Sequence, residues 1–206
     1  MPASTPPSKT ATPDHDILDV LADRWSPRAF SEQPIEPEKI RQVLEAARWA
    51  PSSYNRQPWR VFVATKDDPE AYAQLFGCLN ENNRRWAHSA PVLLLTVAQH
   101  TTDDGKPNRY ARHDVGLAMG NLLAQATALG LYVHQMAGIL PDEARRTFDI
   151  PEGFEPVAGV ALGYLGDPET LPEDLRAREQ AARTRKPLDE WVFGKTWGAT
   201  APVVRE

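Results

Sequence analysis

Cysteine is nearly absent from this sequence, since Cys78 is the single one among 206 residues. One thiol cannot form a disulfide within the chain, and it cannot supply the paired cysteines of a zinc or iron–sulfur site. A free cysteine is most often a buried, unreactive residue. We therefore expect Cys78 in the core of a protein from a reducing compartment.

Long apolar runs and basic blocks are also missing. The longest apolar stretch, Ala90 to Ala98, is about half the length of a membrane-spanning helix. The 23 basic residues are dispersed among 28 acidic ones, for a net charge of −5, which argues against a nucleic-acid partner. Residues 1–13 lack the apolar segment of a secretory signal, and their Pro, Ser and Thr content predicts a disordered tail. We expect a cytoplasmic protein with no membrane partner.

The common catalytic signatures are missing as well. The chain contains no G-x-G-x-x-G, no G-x-x-x-x-G-K-[ST] and no G-x-S-x-G segment. Its five histidines form no H-x-x-x-H or H-E-x-x-H pair, so no metal site is predicted. His113 adjoins Asp114, but neighbouring residues on a helix point in different directions, which argues against an acid–base pair.

Proline and periodic apolar residues divide the chain into helices and strands. Partial alternation of the two favours an α+β sheet with helices around it over a doubly wound fold. The longest helix is apolar on most of its circumference, so we expect it at the centre or at a subunit interface. The predicted helices span residues 14–23, 37–50, 69–79, 109–129, 142–148 and 172–183, and the predicted strands span residues 59–64, 91–98, 131–136 and 157–165.

Three polar loop clusters remain as candidate binding segments. Arg24, Ser26 and Arg28 alternate along RWSPRAF, and alternate residues of an extended loop face one side, as a phosphate clamp requires. The segment APSSYNRQPW, residues 50–59, combines two hydroxyls and two amides directly after a helix. Arg183 and Arg185 form a third cluster. Taken alone, the two arginine clusters are more typical of a solvated surface, and residues 50–59 are as typical of an ordinary turn as of a binding segment.

In combination and in order, these segments resemble the flavin-dependent nitroreductase family. The resemblance rests on R-x-S-x-R-x-F, A-P-S-S-x-N-x-Q-P-W, the helix DVGLAMGNLLAQATALGL and a basic pair before a late Pro-Leu, and it covers about residues 14–198. It implies an α+β nitroreductase-like fold, with a central mixed, mostly antiparallel sheet flanked by helices, in an intertwined homodimer. Residues 14–198 would form this domain and residues 199–206 a C-terminal tail.

The resemblance also implies that FMN binds at the subunit interface. Arg24, Ser26 and Arg28, with Arg183 and Arg185, would bind the phosphate and ribityl chain. Trp25 replaces a residue that is often Arg or His in the family, so only its main chain is expected to contact FMN. The partner subunit would contribute Pro51, Ser52, Ser53, Asn55 and Gln57, and the flavin ring would be approached by Asn83 (preferred to Asn82), Arg85, Gln135, Met136 and Gly138.

The implied activity is an FMN-dependent oxidoreductase that uses NADH or NADPH. By a ping-pong mechanism it would reduce a small-molecule electron acceptor, such as a nitroaromatic or a quinone. The cofactor carries the difficult chemistry, so no catalytic side chain is assigned and solvent protons are expected to serve. Two alternatives stay open: a specialised flavoenzyme of the same fold, of the reductive dehalogenase or flavin-fragmenting type, and a flavin-binding dimer without enzymatic activity. Residues 99–110 are the candidate lid.

Overall fold

Four antiparallel strands form one sheet, in the order β1–β2–β4–β3, in the computed structural model, which describes residues 9–205. The strands are β1 (Trp59–Thr65), β2 (Val92–Gln99), β3 (Tyr132–Met136) and β4 (Phe154–Gly163). Within the described residues every pairing in this sheet is antiparallel, so β1 and β3 are its two edges. The prediction of an α+β fold with a mostly antiparallel sheet is confirmed.

Seven α-helices surround this sheet in residues 9–205. Their bounds are α1 (Asp19–Asp23), α2 (Pro37–Arg48), α3 (Pro69–Gly77), α4 (Glu81–Ala87), α5 (Ala111–Ala128), α6 (Pro141–Thr147) and α7 (Glu173–Gln180). Six correspond to predicted helices, whereas the sequence analysis did not predict α4. Its signals are Asn80, whose side chain accepts the Asn83 N–H as an N-cap, and the buried Trp86 near its end.

The first helix is shorter than predicted. The backbone of Leu18 is extended, with φ −60° and ψ 139°, so α1 begins only at Asp19. Ile17, Leu18 and Leu21 are 46–70% exposed, and an apolar stripe without a core to pack against does little to stabilise a helix.

The sheet separates two apolar cores. Strand β2 runs between them, and its residues 92–98 are at most 1% exposed, as expected for a strand covered on both faces. On one face lie α3, α4, α6 and α7 with Phe30 of the chain that follows α1. On the other face lie α2 and α5. Cys78 is fully buried in the first core, in agreement with its predicted structural role.

The start of the described chain lies against the last turn of α1 and the segment that follows α7. Lys9 Nζ donates to the Ala181 carbonyl at 2.9 Å, and the Ala11 N–H donates to the Ala22 carbonyl at the same distance. Disorder was predicted for residues 1–13, of which residues 1–8 lie outside the described residues. Residues 9–11 instead make these contacts, because the last turn of α1 and the chain after α7 offer unpaired carbonyls.

Candidate functional site

The basic loop, residues 24–28, leads from α1 towards the edge strand β3. Arg24 Nη1 donates to Ser26 Oγ at 3.3 Å, so these two predicted phosphate ligands lie together. The Trp25 ring instead packs edge-on against Tyr132, with centroids 6.0 Å apart. Its indole is thus engaged in packing, in keeping with the expectation that only its main chain is available to a ligand.

A cavity of about 700 Å³ opens beside the basic loop. Arg183 and Arg185 line it together with Arg24, although 159 residues separate Arg24 from Arg183 in the sequence. Burial, followed by the positive charges of Arg183 and Arg185, lowers the pKa of Arg24. Guanidiniums that repel one another around a cavity would be stabilised by a bound anion. The remaining lining combines the polar Thr12, Asp14, His15, Thr184 and Lys186 with the apolar Ala11, Pro13, Ile17, Leu21, Leu188 and Trp191.

Arg183, in the segment after α7, also contacts the start of the described chain and the end of α1. Its Nη1 donates to the carbonyls of Lys9 and Ala22, at 2.7 and 2.6 Å. Arg185, in contrast, is exposed and donates to the carbonyl of its neighbour Thr184. Arg183 therefore shapes the wall of the cavity, whereas Arg185 has a side chain that can turn to a ligand without breaking a long-range contact.

Arg28 pairs with Glu179, a buried carboxylate at the end of α7. One oxygen, Oε1, accepts the backbone N–H groups of Arg28 and Ala29 at 2.8 and 3.0 Å. The other, Oε2, lies 3.8 Å from Arg28 Nη1 and accepts no hydrogen bond from the described residues. Glu179 is 2% exposed, so it fixes the backbone of the basic loop and holds the Arg28 guanidinium by charge alone.

His134 fastens the basic loop to β3. Its Nδ1 donates to the Pro27 carbonyl at 2.8 Å, and its ring lies against Trp86 with centroids 4.5 Å apart. Burial lowers the pKa of His134 to about 4, and the nearby Arg28 charge acts in the same direction, against a smaller opposing effect of the Pro27 hydrogen bond. The imidazole is therefore neutral at pH 7 and acts as a fixed hydrogen-bond donor.

The predicted flavin-ring residues gather at the far end of β3. Asn83 Nδ2 donates to the Gly138 carbonyl at 2.9 Å. A Cβ at Gly138 would lie 2.4 Å from Asn80 Nδ2, so the contact requires glycine there. Gln135 is exposed, whereas Met136 is 2% exposed and belongs to the core. Met136 can thus offer only its main chain to a ligand.

Arg85 makes a two-pronged ion pair with Asp174 of α7, at 2.9 and 2.6 Å. This contact fastens α4 to α7, and it holds the pKa of Asp174 below its usual value. In the described chain the Arg85 side chain is engaged in this pair.

The amide loop, residues 51–57, lies beside the start of α5. Ser53 donates its backbone N–H to Asp114 Oδ2, and Ser52 Oγ accepts the Gln57 N–H, both at 3.0 Å. Asn55 and Gln57 have positive φ angles of 53° and 47°. Residues other than glycine seldom adopt such angles. Pro51, Asn55 and Gln57 are exposed, so this loop presents its amides outwards on a strained backbone.

Asp114 and His113 are paired, against the expectation from their adjacency. His113 Nδ1 lies 3.0 Å from Asp114 Oδ1, while the other carboxylate oxygen holds Ser53. Asp114 is 2% exposed. Adjacent helical positions start about 100° apart, but in the first turn of α5 the two side chains bend together, a rotamer effect that residue spacing does not encode.

The two loops lie at opposite ends of α5. The amide loop contacts Asp114 near the helix start, whereas the basic loop contacts Tyr132, just past the helix end at Leu129. At 1.5 Å per residue, Asp114 and Leu129 are about 22 Å apart. The predicted site residues therefore form two separate half-sites within one chain: the basic loop with β3, and the amide loop with α5.

Three partners of the site escaped the sequence analysis: Glu179, Asp114 and His134. Each lies on a regular element and acts through a contact with a distant loop. Asp114 begins the helix motif DVGLAMGNLLAQATALGL, but the sequence analysis assigned it no role in the site. The available signal was a charged or polar residue on an otherwise buried helix or strand position, since such residues are seldom buried without a partner.

Residues 9–205 include no helix that is both long and apolar enough to span a membrane. Within the same residues, no group of three or more His, Cys, Asp or Glu side chains is arranged to hold a metal ion.

The sequence matches the model of the nitroreductase family over residues 21–164. It is 39% identical to a 4-nitrobenzoate reductase of Pseudomonas putida, with 82% of this chain and 93% of the relative aligned. It is 26% identical to an FMN reductase [NAD(P)H] of Bacillus subtilis, over 74% of this chain and 67% of the relative.

A solved structure of an oxidoreductase containing FMN has the same fold. It superimposes with a TM-score of 0.87 and is 37% identical, over 94% of this chain and 99% of that one.

Proposed function

The chain belongs to the nitroreductase family, and its relatives include an FMN reductase and an oxidoreductase containing FMN. We propose that it is an FMN-dependent oxidoreductase that uses NADH or NADPH to reduce a small-molecule acceptor such as a nitroarene or a quinone. The observation that carries this proposal is the convergence of Arg24, Arg183 and Arg185 on one cavity beside the basic loop. The proposed setting is the cytoplasm, and no residue of the chain is assigned to a metal.

The donors around the cavity fit the phosphate of FMN. A phosphate dianion is best held by several charge-assisted donors, and Arg24 and Arg185 offer them at the cavity wall. Ser26, which is hydrogen-bonded to Arg24, and Arg28, which is paired with Glu179, are proposed as further ligands from the same loop. The flavin ring would lie towards the other end of β3, where Asn83, Gly138 and the exposed Gln135 gather. The main chains of Trp25 and Met136 and the side chain of Arg85 remain proposed as peripheral contacts.

A second copy of the chain would complete the site. The amide loop contacts Asp114 and the basic loop contacts Tyr132 beyond Leu129, two positions on α5 about 22 Å apart, so we infer that the two loops of one chain serve different cofactors. Helix α5 exposes Gly116, Leu117 and Gly120 on one face, with open space around both glycines. A homodimer packed on this face would bring the amide loop of one subunit to the basic loop of the other, with Ser52, Ser53, Asn55 and Gln57 lining the cofactor.

When bound, FMN would take two electrons from NAD(P)H and pass them to the acceptor, in a ping-pong sequence in which the nucleotide leaves first. The role of this chain is to bind and to orient. Glu179 and His134 hold the basic loop in place, and Asp114 holds the amide loop. The cavity of about 470 Å³ between Tyr54, Arg56 and residues 99–108 is of the size of a small-ligand site and would admit the acceptor.

A visible absorption spectrum of the purified protein, followed anaerobically by NADH and then NADPH, tests this function. We expect a flavin band that one of the nucleotides bleaches, and reoxidation by a nitroarene or a quinone. A band that persists with both nucleotides would indicate a flavin carrier, and a protein that takes up no FMN would contradict the proposal.

The cavity assignment is tested by Arg185→Ala. Arg185 is exposed and its hydrogen bond reaches only its neighbour, so the variant should fold normally yet bind FMN at least about 10-fold more weakly, since a charge-assisted bond contributes about 1.5–3 kcal/mol. Arg41→Ala on α2, where Arg41 pairs with Glu38 at the surface, is the matched control and should bind FMN normally. Equal affinities in the two variants would remove Arg185 from the site.

A further inference from the structure

His113 carries the features of an oriented proton donor. Its Nδ1 is held at 3.0 Å by the buried carboxylate of Asp114, while its side chain is 64% exposed. A carboxylate that accepts the Nδ1–H fixes the tautomer and leaves Nε2 as the nitrogen that exchanges protons with solvent or ligand. The same Asp114 carboxylate holds Ser53 of the amide loop, so the imidazole and this loop move as one unit.

The imidazole is also connected to the wall of the acceptor cavity, because Asp114 holds Ser53 and the next two residues, Tyr54 and Asn55, line that cavity. The Tyr110 ring lies edge-on to His113 with centroids 6.2 Å apart, and the Tyr110 N–H donates to Asn108, which lines the cavity. On α5, His113 is followed at spacings of three, four and seven by Gly116, Leu117 and Gly120, the face proposed for the second subunit. His113 therefore lies beside the amide loop and on the face proposed for the second subunit, and its neighbours adjoin residues that line the acceptor cavity.

We propose that His113 is a catalytic residue that donates a proton from Nε2 to an oxygen of the acceptor at the cofactor held by the other subunit, with Asp114 as its positioning residue. This assignment rests on the proposed function. A quinone that becomes a hydroquinone gains two electrons and two protons. NAD(P)H, through the bound cofactor, supplies both electrons and one proton; His113 supplies the other, and solvent reprotonates the imidazole.

Comparing ferricyanide with benzoquinone as the electron acceptor tests whether His113 donates a proton. Ferricyanide takes up one electron and no proton, whereas benzoquinone needs the proton that His113 donates. In the FMN-loaded full-length protein, His113→Gln should lower benzoquinone turnover roughly 100-fold, the scale of general acid catalysis. Flavin bleaching by the nucleotide and ferricyanide reduction should keep their wild-type rates. His113→Asn is the second variant, because His113 is largely exposed and neither change disturbs the core.

The matched control is His88→Gln. His88 is likewise exposed, but its Nδ1 lies 3.2 Å from the Arg84 carbonyl instead of a carboxylate. This variant should reduce both acceptors at the wild-type rate. Unchanged benzoquinone turnover in both His113 variants, or an equal loss with ferricyanide, would overturn the assignment while leaving the proposed function intact. A wild-type protein that neither nucleotide reduces would overturn the function and the assignment together.

Discussion

Single buried polar residues hold the two loops of the site in place. Glu179, Asp114 and His134 each accept or donate a hydrogen bond to a loop backbone across a long stretch of sequence. Buried polar groups need such partners, because a lost hydrogen bond leaves a desolvated group unpaired. The loop conformations are therefore fixed from beneath, by residues that would not contact the cofactor.

Arg28→Ala should destabilise the protein as well as weaken FMN binding. The change removes the nearest cation from the buried carboxylate of Glu179, which keeps the weaker attraction of Lys9, and a buried group that loses its partner costs about 1–3 kcal/mol. Glu179→Gln keeps an oxygen for the two backbone N–H groups, so the double variant should recover most of the stability. Urea unfolding at pH 7 gives the free energy of unfolding of the single variant Arg28→Ala and of the double variant. Equal values would show that the negative charge of Glu179 does not destabilise the single variant.

The burial of His134 predicts acid sensitivity. Its folded-state pKa of about 4 lies below the unfolded value of 6.5, so between these pH values the unfolded chain binds a proton that the folded chain does not. Stability should then fall as pH drops from 6.5 towards 4, by up to about 3 kcal/mol from this residue.

The variant His134→Asn isolates this effect. An asparagine amide can donate to the Pro27 carbonyl without titrating, so the pH-dependent loss of stability should be smaller than in the wild type. Urea midpoints at pH 7 and pH 5 for both proteins give the comparison. An identical loss in both would place the acid sensitivity elsewhere.

The apolar pattern of the sequence predicted the helices and strands, but it did not predict which residues the loops contact. Strand β2 and helix α5 were predicted within a few residues of their bounds, because their apolar runs end at clear polar or glycine positions. Helix α1 was predicted too long, since the sequence cannot show that Ile17 and Leu18 lack a core to pack against. The basic loop and the arginine pair were predicted as clusters, but not that Arg28 would face Glu179.

If the exposed face of α5 is the dimer interface, substitutions at Gly120 should change subunit association. In an isolated chain, Gly120→Ala should stabilise α5 by about 1 kcal/mol, because alanine favours a helix and nothing lies within 4 Å of the new Cβ. Against a closely packed second helix, the added methyl group would instead weaken association. Sedimentation equilibrium of the wild type, Gly120→Ala and Gly120→Leu should show progressively weaker dimers. A dimer unaffected by leucine would mean that this face is not the interface.

In the proposed dimer, each FMN site combines the basic loop of one subunit with the amide loop of the other. A consequence is that two defective subunits should complement each other. Arg185→Ala removes the phosphate donor, and Asn55→Gly with Gln57→Gly removes the amides while glycine accepts the positive φ angles. In a mixed dimer, one site carries both defects and the other carries neither.

Mixing the two variants at equal concentration should therefore restore FMN binding to roughly a quarter of all sites, since random exchange makes half of the dimers mixed. Fluorescence of bound and free FMN measures the recovery, and each variant alone is the control. No recovery, under conditions where mass spectrometry detects mixed dimers, would place both half-sites at one cofactor within the same chain.

The contacts between Lys9, Ala22 and Arg183 join the beginning of the described chain to the segment that follows α7, and this has a consequence during biosynthesis. A ribosome adds about 5–20 residues per second, so at least about 8 s separate the synthesis of Arg24 from that of Arg183. Throughout that interval the nascent chain has the basic loop but lacks the arginines opposite it. Cofactor capture would thus wait until translation is nearly finished, and a truncated product would be released without flavin.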